Sequence, residues 1–316
     1  MKIVLWRRPD DERLAALRAA FPDIEFAWPT EEHPLVEVIA DADAYIGWLG
    51  PEEFAAARRL RWVQSHSAGV EWLQRVPALV ESDVIVTNAR GAHADTIAEH
   101  LFAMLLYFTR DLGYFNRQKQ ARQWDRGGGA ARLTALKGLT MGIVGLGNIG
   151  RAVAQRARAF GMEVVAVDVQ PVEAPGVSAV WGPEGLPDLM RRSDVVSICC
   201  PLTPETRGMI GADLLALLKP TAYLMIVSRG GIVDEAALLT ALKERRLAGA
   251  GIDVFETEPL PPESPFWDLD NVIITPHISA ASRLTADLLW QIIHENIGRF
   301  QRGEPLINVV DKRRGF

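Results

Sequence analysis

The sequence predicts an α/β protein made of two doubly wound parallel-sheet domains, the second inserted in the first. Three observations predict it. Short β-branched runs alternate with Ala-, Leu- and Arg-rich stretches from end to end, the pattern of βαβ units. A glycine-rich turn, Gly145-Leu146-Gly147-Asn148-Ile149-Gly150, appears only in the second section of that alternation. At 316 residues the chain is long enough for two domains of ordinary size.

Taken in order, Ile3 to Trp6 reads as a strand and Asp11 to Ala20 as a helix capped by Asp10 or Asp11. Ala44 to Trp48, Trp62 to Gln64 and Val84 to Thr87 read as further strands. Thr96 to Arg117 reads as one long helical stretch, apolar at Ile97, Leu101, Met104, Leu105 and Phe108. The run Asp125-Arg126-Gly127-Gly128-Gly129 reads as a polar linker. Leu139 to Val144 is then a strand, followed by the glycine turn and a helix to about Phe160. Val164 to Val167, Asp194 to Cys199, Ala222 to Val227, Gly251 to Val254 and Val272 to Thr275 complete the second set of strands. Thr285 to Gln301 is helical again. The domain with the glycine turn is expected at residues 95–285, and the outer domain at 1–94 and 286–316.

Composition narrows the function. The chain is 48% hydrophobic and 23% charged, as globular proteins are. A net charge of −6 makes no electrostatic case for nucleic acid or an anionic membrane as partner. The basic runs Arg7-Arg8, Arg58-Arg59, Arg191-Arg192 and Lys312-Arg313-Arg314 are short and read as solvated surface. The two cysteines, Cys199 and Cys200, are adjacent, which excludes a disulfide framework and points to a reducing compartment. No Cys or His spacing suits a metal, so none is expected. The N-terminal apolar run is too short for a signal peptide, and Leu101 to Phe108 falls far short of the ~20 residues of a membrane span. A cytoplasmic protein is expected.

The glycine turn follows a strand and opens a helix, the context a dinucleotide loop requires. Gly145 permits the turn, Gly147 lets backbone approach a pyrophosphate, and Gly150 lets helix and strand pack closely. Unpaired N–H groups at the helix start would face the phosphates. The next strand ends at Asp168, an acid suited to ribose hydroxyls and repulsive to a 2′-phosphate. Val169-Gln170-Pro171 follow, with no Arg or Lys. These residues predict a Rossmann domain that prefers NAD, as NADH, over NADP.

Three reactive groups follow the loop. Arg229 stands directly after an apolar strand and before Gly230-Gly231, at the strand end where open α/β sheets bind ligands. Its guanidinium can hold a carboxylate bidentately and polarise a neighbouring carbonyl. His277 follows a strand and Pro276. Histidine titrates at about 6.5 in water, so it can carry a proton to an alkoxide at working pH. Glu258 is the candidate partner of His277, Glu256 is its competitor, and spacing does not separate them. Asp253 ends a strand and is a candidate contact for the nicotinamide end of the cofactor.

At this point the sequence resembles the D-isomer-specific 2-hydroxyacid dehydrogenases over nearly its whole length. The resemblance rests on Ala68-Gly69-Val70, Ala98-Glu99-His100, Gly145 to Gly150, Cys200-Pro201-Leu202-Thr203-Pro204-Glu205-Thr206, Ser228 to Glu235, Asp253 to Pro261 and Thr275-Pro276-His277. The end, from Pro261-Pro262-Glu263-Ser264-Pro265 to Phe316, resembles the glyoxylate/hydroxypyruvate reductase branch. The resemblance implies that Arg229 binds the substrate carboxylate, that His277 is the acid/base, and that Glu258 rather than Glu256 is its partner. It implies that Cys200, Pro201, Thr206, Val227 and Asp253 join Gly145, Gly147, Asn148, Ile149, Gly150 and Asp168 along the cofactor. It gives Ala68, Gly69 and Val70 to the substrate carboxylate and Trp48 to the pocket wall. It also implies a homodimer built on the long helix after Asp95, with the active site between the two domains. Three positions depart from the family: Ile226 where Asn is common, Cys199 where many members have His, and Ala280 where many reductases place Ser. Reductases of this branch often prefer NADPH, and Asp168 argues against carrying that over.

The expected function is reduction of a small 2-keto acid of the glyoxylate or hydroxypyruvate type to its D-2-hydroxy acid by NADH. Two rivals are weighed. Formate dehydrogenases of similar fold carry Gln where Glu258 stands, so the carboxylate argues against that activity. An NAD(H)-sensing protein of the corepressor kind could keep all three reactive groups, and is separated by its lack of turnover.

Overall fold

The computed structural model describes residues 1–130 and 133–315. The chain divides into two compact units, Met1–His93 with Ser282–Phe316, and Ala94–Ala281. Each is built on a sheet in which every strand pairing is parallel.

The first unit holds β1 (Lys2–Leu5), β2 (Glu25–Ala27), β3 (Ala44–Ile46), β4 (Trp62–Gln64) and β5 (Ile85–Thr87), in the order β2-β1-β3-β4-β5. Alternation along β1 explains why both faces are covered. Ile3 and Leu5 pack with Leu17, Phe21, Ile293 and Ile297. Val4 points to the other layer, with Ile39, Leu79 and Val86. Asp10 caps the first helix, accepting from the Arg13 amide at 2.8 Å. The helix Arg283–Arg302 is capped by Ser282 and ends at Gly303 in the left-handed conformation. It closes the outer layer through Asn296, which is fully buried. The Asn296 side-chain amide donates to Gln64 Oε1 (2.9 Å) and the Ile307 carbonyl (3.1 Å), and its oxygen accepts from the Ile307 amide (2.9 Å). Gln64 Oε1 also accepts from Thr87 Oγ1, which accepts from the Trp62 indole, both at 2.8 Å.

The second unit holds β6 (Thr140–Val144), β7 (Glu163–Val167), β8 (Ala179–Trp181), β9 (Val195–Ile198), β10 (Tyr223–Ile226), β11 (Gly249–Ile252) and β12 (Val272–Ile274). Their order, β12-β11-β10-β9-β6-β7-β8, reverses direction between β6 and β9. Such a switch point opens a crevice at the carboxyl ends of the strands. Met141 and Ile143 of β6 pack against helices Ala94–Thr109 and Asn148–Ala159 through Leu101, Leu105, Val153 and Ala157. Val144 faces the opposite layer, with Leu189 and Leu224.

The structure differs from the sequence expectations at several elements. The long stretch from Thr96 is two helices, Ala94–Thr109 and Leu112–Gln120. Asp111 takes φ +45° between them, a conformation Asp tolerates better than most residues because its short polar side chain bonds locally. Gly127–Ala130 is a helical turn rather than a linker, with Asp125 accepting from the Gly128 amide at 2.9 Å. The three-residue edge strands β2 and β8 were not foreseen. Elsewhere strand ends move by one or two residues.

Among the described residues no helix is long and apolar enough to cross a membrane. No group of three or more His, Cys, Asp or Glu side chains among them could hold a metal ion.

Asn296→Ala should lower stability by about 2–3 kcal/mol, because it removes the donor to buried Gln64 and strands the part-buried Ile307 amide and carbonyl. Urea unfolding measures this, and a loss under ~0.5 kcal/mol, the range of neutral surface changes, would show the network to be dispensable.

Candidate active site

The glycine turn connects β6 to the helix Asn148–Ala159. Gly145 has φ +95°, and a Cβ there would lie 2.6 Å from the Cys200 amide nitrogen. Only glycine lets this turn press against the segment leaving β9. A Cβ on Gly150 would lie 2.1 Å from the Gly145 carbonyl oxygen, so helix and turn are also in contact. Gly147 differs: its φ is −72°, and nothing lies within 4 Å of where its Cβ would be. It is the N-cap of the helix and supplies no side-chain cap to the first amides. An open face over an uncapped helix start is what an anion such as a pyrophosphate fits. Asn148 is exposed beside it, and Ile149 packs into the core.

Asp168 follows β7. Its Oδ2 accepts from the Leu146 amide at 2.7 Å and its Oδ1 from the Gln170 amide at 2.9 Å. The carboxylate is thereby fixed beside the glycine turn, with lone pairs left for ribose hydroxyls. Cys200 is buried at the end of β9, and burial pushes its thiol up to about 12. It is a neutral packing group at neutral pH. Thr206 Oγ1 donates to the Pro201 carbonyl at 2.8 Å and accepts from the Thr203 amide at 2.8 Å, closing the loop after Cys200. Val227, just past β10, is buried. These residues fit a dinucleotide.

The reactive groups follow β10, β11 and β12, adjacent strands of the same sheet. Arg229 Nη1 donates to the Ser228 carbonyl at 2.6 Å. Glu258 Oε2 lies 2.8 Å from His277 Nδ1, while Glu258 Oε1 accepts from the Phe255 amide at 3.0 Å. The carboxylate oxygen can only accept, so Nδ1 carries the proton and Nε2 is left for chemistry. Glu256 does not reach the imidazole; its side chain pairs with Arg207 at 3.4 Å. Geometry thus separates two acids that spacing could not.

His277 itself has φ +52°. A non-glycine residue in the left-handed region persists only where its surroundings hold it. Asp253 does the holding. Its Oδ1 accepts from Thr275 Oγ1 (2.5 Å) and the Ile278 amide (2.9 Å), and its Oδ2 from the Ser279 amide (3.0 Å). Its carbonyl accepts from the His277 amide at 2.8 Å. The carboxylate of Asp253, expected as a cofactor contact, thus takes three donors from the histidine turn. Thr275 gives its proton to Asp253, so it accepts from His100 Nε2 at 3.0 Å. His100 and Thr275 were not singled out as members of this site, although both stand in motifs that were.

Residues 102–279 match the family described as D-isomer specific 2-hydroxyacid dehydrogenase, NAD binding domain. A glyoxylate reductase of Korarchaeum cryptofilum is 36% identical over 292 residues, covering 90% of this chain and 87% of that protein. The chain belongs to the D-isomer specific 2-hydroxyacid dehydrogenase family. A D-3-phosphoglycerate dehydrogenase of Methanocaldococcus jannaschii is 34% identical across 92% of this chain, and the chain spans 55% of that protein's length. Among solved structures, an NADPH-dependent glyoxylate/hydroxypyruvate reductase of Sinorhizobium meliloti, in complex with NADP and sulfate, is 30% identical with a TM-score of 0.85. That match covers 100% of this chain and 99% of the other. The family member described here is therefore an oxidoreductase with a nicotinamide dinucleotide domain, in the glyoxylate reductase branch.

The remaining expected residues lie in the first unit. Trp48 is half exposed and donates from its indole to Ser65 Oγ at 3.2 Å. The turn Ala68-Gly69-Val70 is braced by Ser67 Oγ on the Gly69 carbonyl (2.7 Å) and by the Asn88 amide on the Ala68 carbonyl (2.8 Å). Of the three departures from the family, Ile226 is buried in β10. Cys199 Sγ lies 3.0 Å from Ser197 Oγ, and Ala280 packs against the core beside buried Ser279.

The two glycines of the turn should separate folding from binding. Gly145→Ala should cost about 1–3 kcal/mol of stability through its backbone strain. Gly147→Ala should melt within about 1 °C of wild type, since its methyl meets only open space and such changes are near neutral, yet bind NADH more weakly. Melting curves and fluorescence titration test the pair. Normal NADH affinity in Gly147→Ala would remove the pyrophosphate from this loop.

Proposed function

We propose that this enzyme reduces a small 2-keto acid of the glyoxylate or hydroxypyruvate type to its D-2-hydroxy acid, with NADH as reductant. The observation that carries the reading is the Glu258–His277 pair at 2.8 Å, on the loops after β11 and β12, the two strands that follow β10 and its Arg229 loop in the sheet. Arg229 holds the carboxylate and stabilises negative charge developing on the keto oxygen. Glu258 keeps a proton on His277 Nδ1 and orients the ring, so Nε2 is the nitrogen left to protonate that oxygen. Bound reduced nicotinamide supplies hydride to the carbonyl carbon. The same reading assigns Ala68, Gly69 and Val70 to the carboxylate, Trp48 to the pocket wall, and Gly145, Gly147, Asn148, Ile149, Gly150, Cys200, Pro201, Thr206 and Val227 to the cofactor.

The preference for NADH rests on Asp168, whose fixed carboxylate repels a 2′-phosphate. The Sinorhizobium relative carries NADP, so coenzyme choice is the sharpest point of the reading. The test is NADH oxidation with glyoxylate, hydroxypyruvate, pyruvate and phenylpyruvate, an NADPH arm, and oxidation of D-3-phosphoglycerate as the competing activity. Turnover of glyoxylate or hydroxypyruvate with higher kcat/KM for NADH is expected. Arg229→Lys should lose at least tenfold in kcat/KM, since an ammonium cannot reproduce a bidentate grip. Equal or better use of NADPH would overturn the coenzyme assignment. Intact NADH binding with no turnover would favour an NAD(H)-sensing protein.

We also propose a homodimer through the second unit. Tyr107, Leu112, Phe160 and Trp124 leave large apolar side chains in solvent there, Trp124 at 98% exposure. The resemblance to the family places a dimer interface on the long helix after Asp95, and large exposed apolar side chains there suit association where they adjoin. Light scattering should give twice the 34.8 kDa of one chain; the mass of a single chain would refute it.

A further inference from the structure

Glu235 has no place in the mechanism above, yet the structure puts it at the junction of the reactive loops. It opens the helix Glu235–Lys243, which Asp234 caps by accepting from the Ala237 amide at 3.0 Å. With the cap supplied by its neighbour, the Glu235 side chain turns elsewhere. Its Oε1 accepts from the Glu256 amide at 2.5 Å. The peptide that Glu235 grips, Phe255–Glu256, is also touched by the arginine loop. A Cβ on Gly230 would lie 2.0 Å from the Phe255 carbonyl carbon and 2.4 Å from the Glu256 nitrogen. Gly230 follows Arg229 directly. On its other flank the same segment gives the Phe255 amide to Glu258, the partner of His277. Two successive peptides therefore meet the site: Phe255–Glu256 abuts the loop of the arginine, and Val254–Phe255 anchors the acid of the histidine.

We propose that Glu235 is a positioning residue: by holding the Phe255–Glu256 peptide it fixes the Glu258–His277 pair and the Arg229 loop in register with each other. The inference rests on the reading of Arg229, Glu258 and His277 given above.

Electrostatics add a second role for the same carboxylate. Glu235 and Arg229 line a common cavity of about 10 Å³, room for one water at most. Burial pushes the Glu235 carboxyl above the usual range; the bond from the Glu256 amide pulls it back in part, and the neighbouring Glu256 and Glu258 carboxylates push it up again. The coupling is mutual, so the Glu235 anion adds negative potential at Glu258 and at the imidazolium paired with it. The other charged groups packed around this junction are Arg207 on Glu256, Arg229 on the β10 loop, Asp253 beneath the histidine turn, and His100 behind Thr275. None of them supplies an acceptor to the Glu256 amide.

Two substitutions separate position from charge. Glu235→Gln keeps an acceptor for the Glu256 amide and removes the charge. Glu235→Ala removes both. With wild-type, Glu235→Gln and Glu235→Ala proteins loaded with NADH, kcat of Glu235→Ala should fall at least tenfold. Its melting temperature and NADH affinity should remain near wild type. Glu235→Gln should recover kcat to within about threefold, while the pH at which kcat/KM for reduction falls to half moves down by roughly 0.5 unit, the scale of one screened neighbouring charge. A residue of merely structural importance would lower melting temperature and leave that pH unmoved. Amide exchange at Phe255 and Glu256 reads the clamp without turnover. Protection should be lost in Glu235→Ala and kept in Glu235→Gln. Unchanged protection in Glu235→Ala, or Glu235→Gln as impaired as Glu235→Ala, overturns the inference. So does a half-fall pH that stays put in Glu235→Gln. If wild type reduces no 2-keto acid, the proposed function fails by itself and amide exchange alone decides the clamp.

Discussion

The reactive end of this fold depends on one buried carboxylate. Asp253 is 1% exposed, and a charge in such a place is tolerated only when its lone pairs are used. Three donors use them: Thr275 Oγ1 and the amides of Ile278 and Ser279. All three come from the turn around His277. That arrangement accounts for the left-handed φ of His277, which has no glycine to ease it. Relaxing the histidine to an ordinary conformation would pull amides away from Asp253 and strand a buried charge, at several kcal/mol by usual estimates. The strain and the charge hold each other in place.

The acids near His277 consequently divide the work by where their oxygens point. Asp253 orders backbone. Glu258 divides its two oxygens between the Phe255 amide and the imidazole, so its rotamer is fixed from both ends. Glu256, two residues away, faces Arg207. Parallel pairing of β10, β11 and β12 brings three adjacent strand ends to one side of the sheet, so the loops that bear Arg229, Glu258 and His277 leave from neighbouring strands. The switch point between β6 and β9 places the glycine turn on that same side.

This logic explains what was legible in the sequence. Arg229 and His277 could be found because each directly follows a clean apolar strand and is set off by glycine or proline. The glycine turn could be found because its three glycines recur at a fixed spacing after a strand, and two of them, Gly145 and Gly150, answer a steric demand in the structure. The choice between Glu256 and Glu258 could not be made from spacing, because both follow Asp253 closely and only the fold of the intervening turn separates them. Asp253 is expected at the ligand because strand ends usually are; nothing local announces that its oxygens also take donors from the next loop. The break at Asp111 was hidden for a different reason. Helix ends are legible through glycine and proline, and here a left-handed Asp does the work between two strongly helical stretches. The strands β2 and β8 are three residues each at sheet edges, too short to show alternation.

Asp168 ties the proposed coenzyme preference to the fold. Its Oδ2 takes the amide of Leu146, which lies inside the glycine turn, and its Oδ1 takes the amide just beyond its own strand. The carboxylate proposed to repel a 2′-phosphate is therefore also a strut of the glycine turn. Exchanging it for a small neutral residue to admit NADP would remove the charge and leave the Leu146 amide without its acceptor. An amide side chain of similar length keeps one acceptor and loses the charge. Selectivity can thus be changed here without loosening the turn only by a residue that still accepts from Leu146.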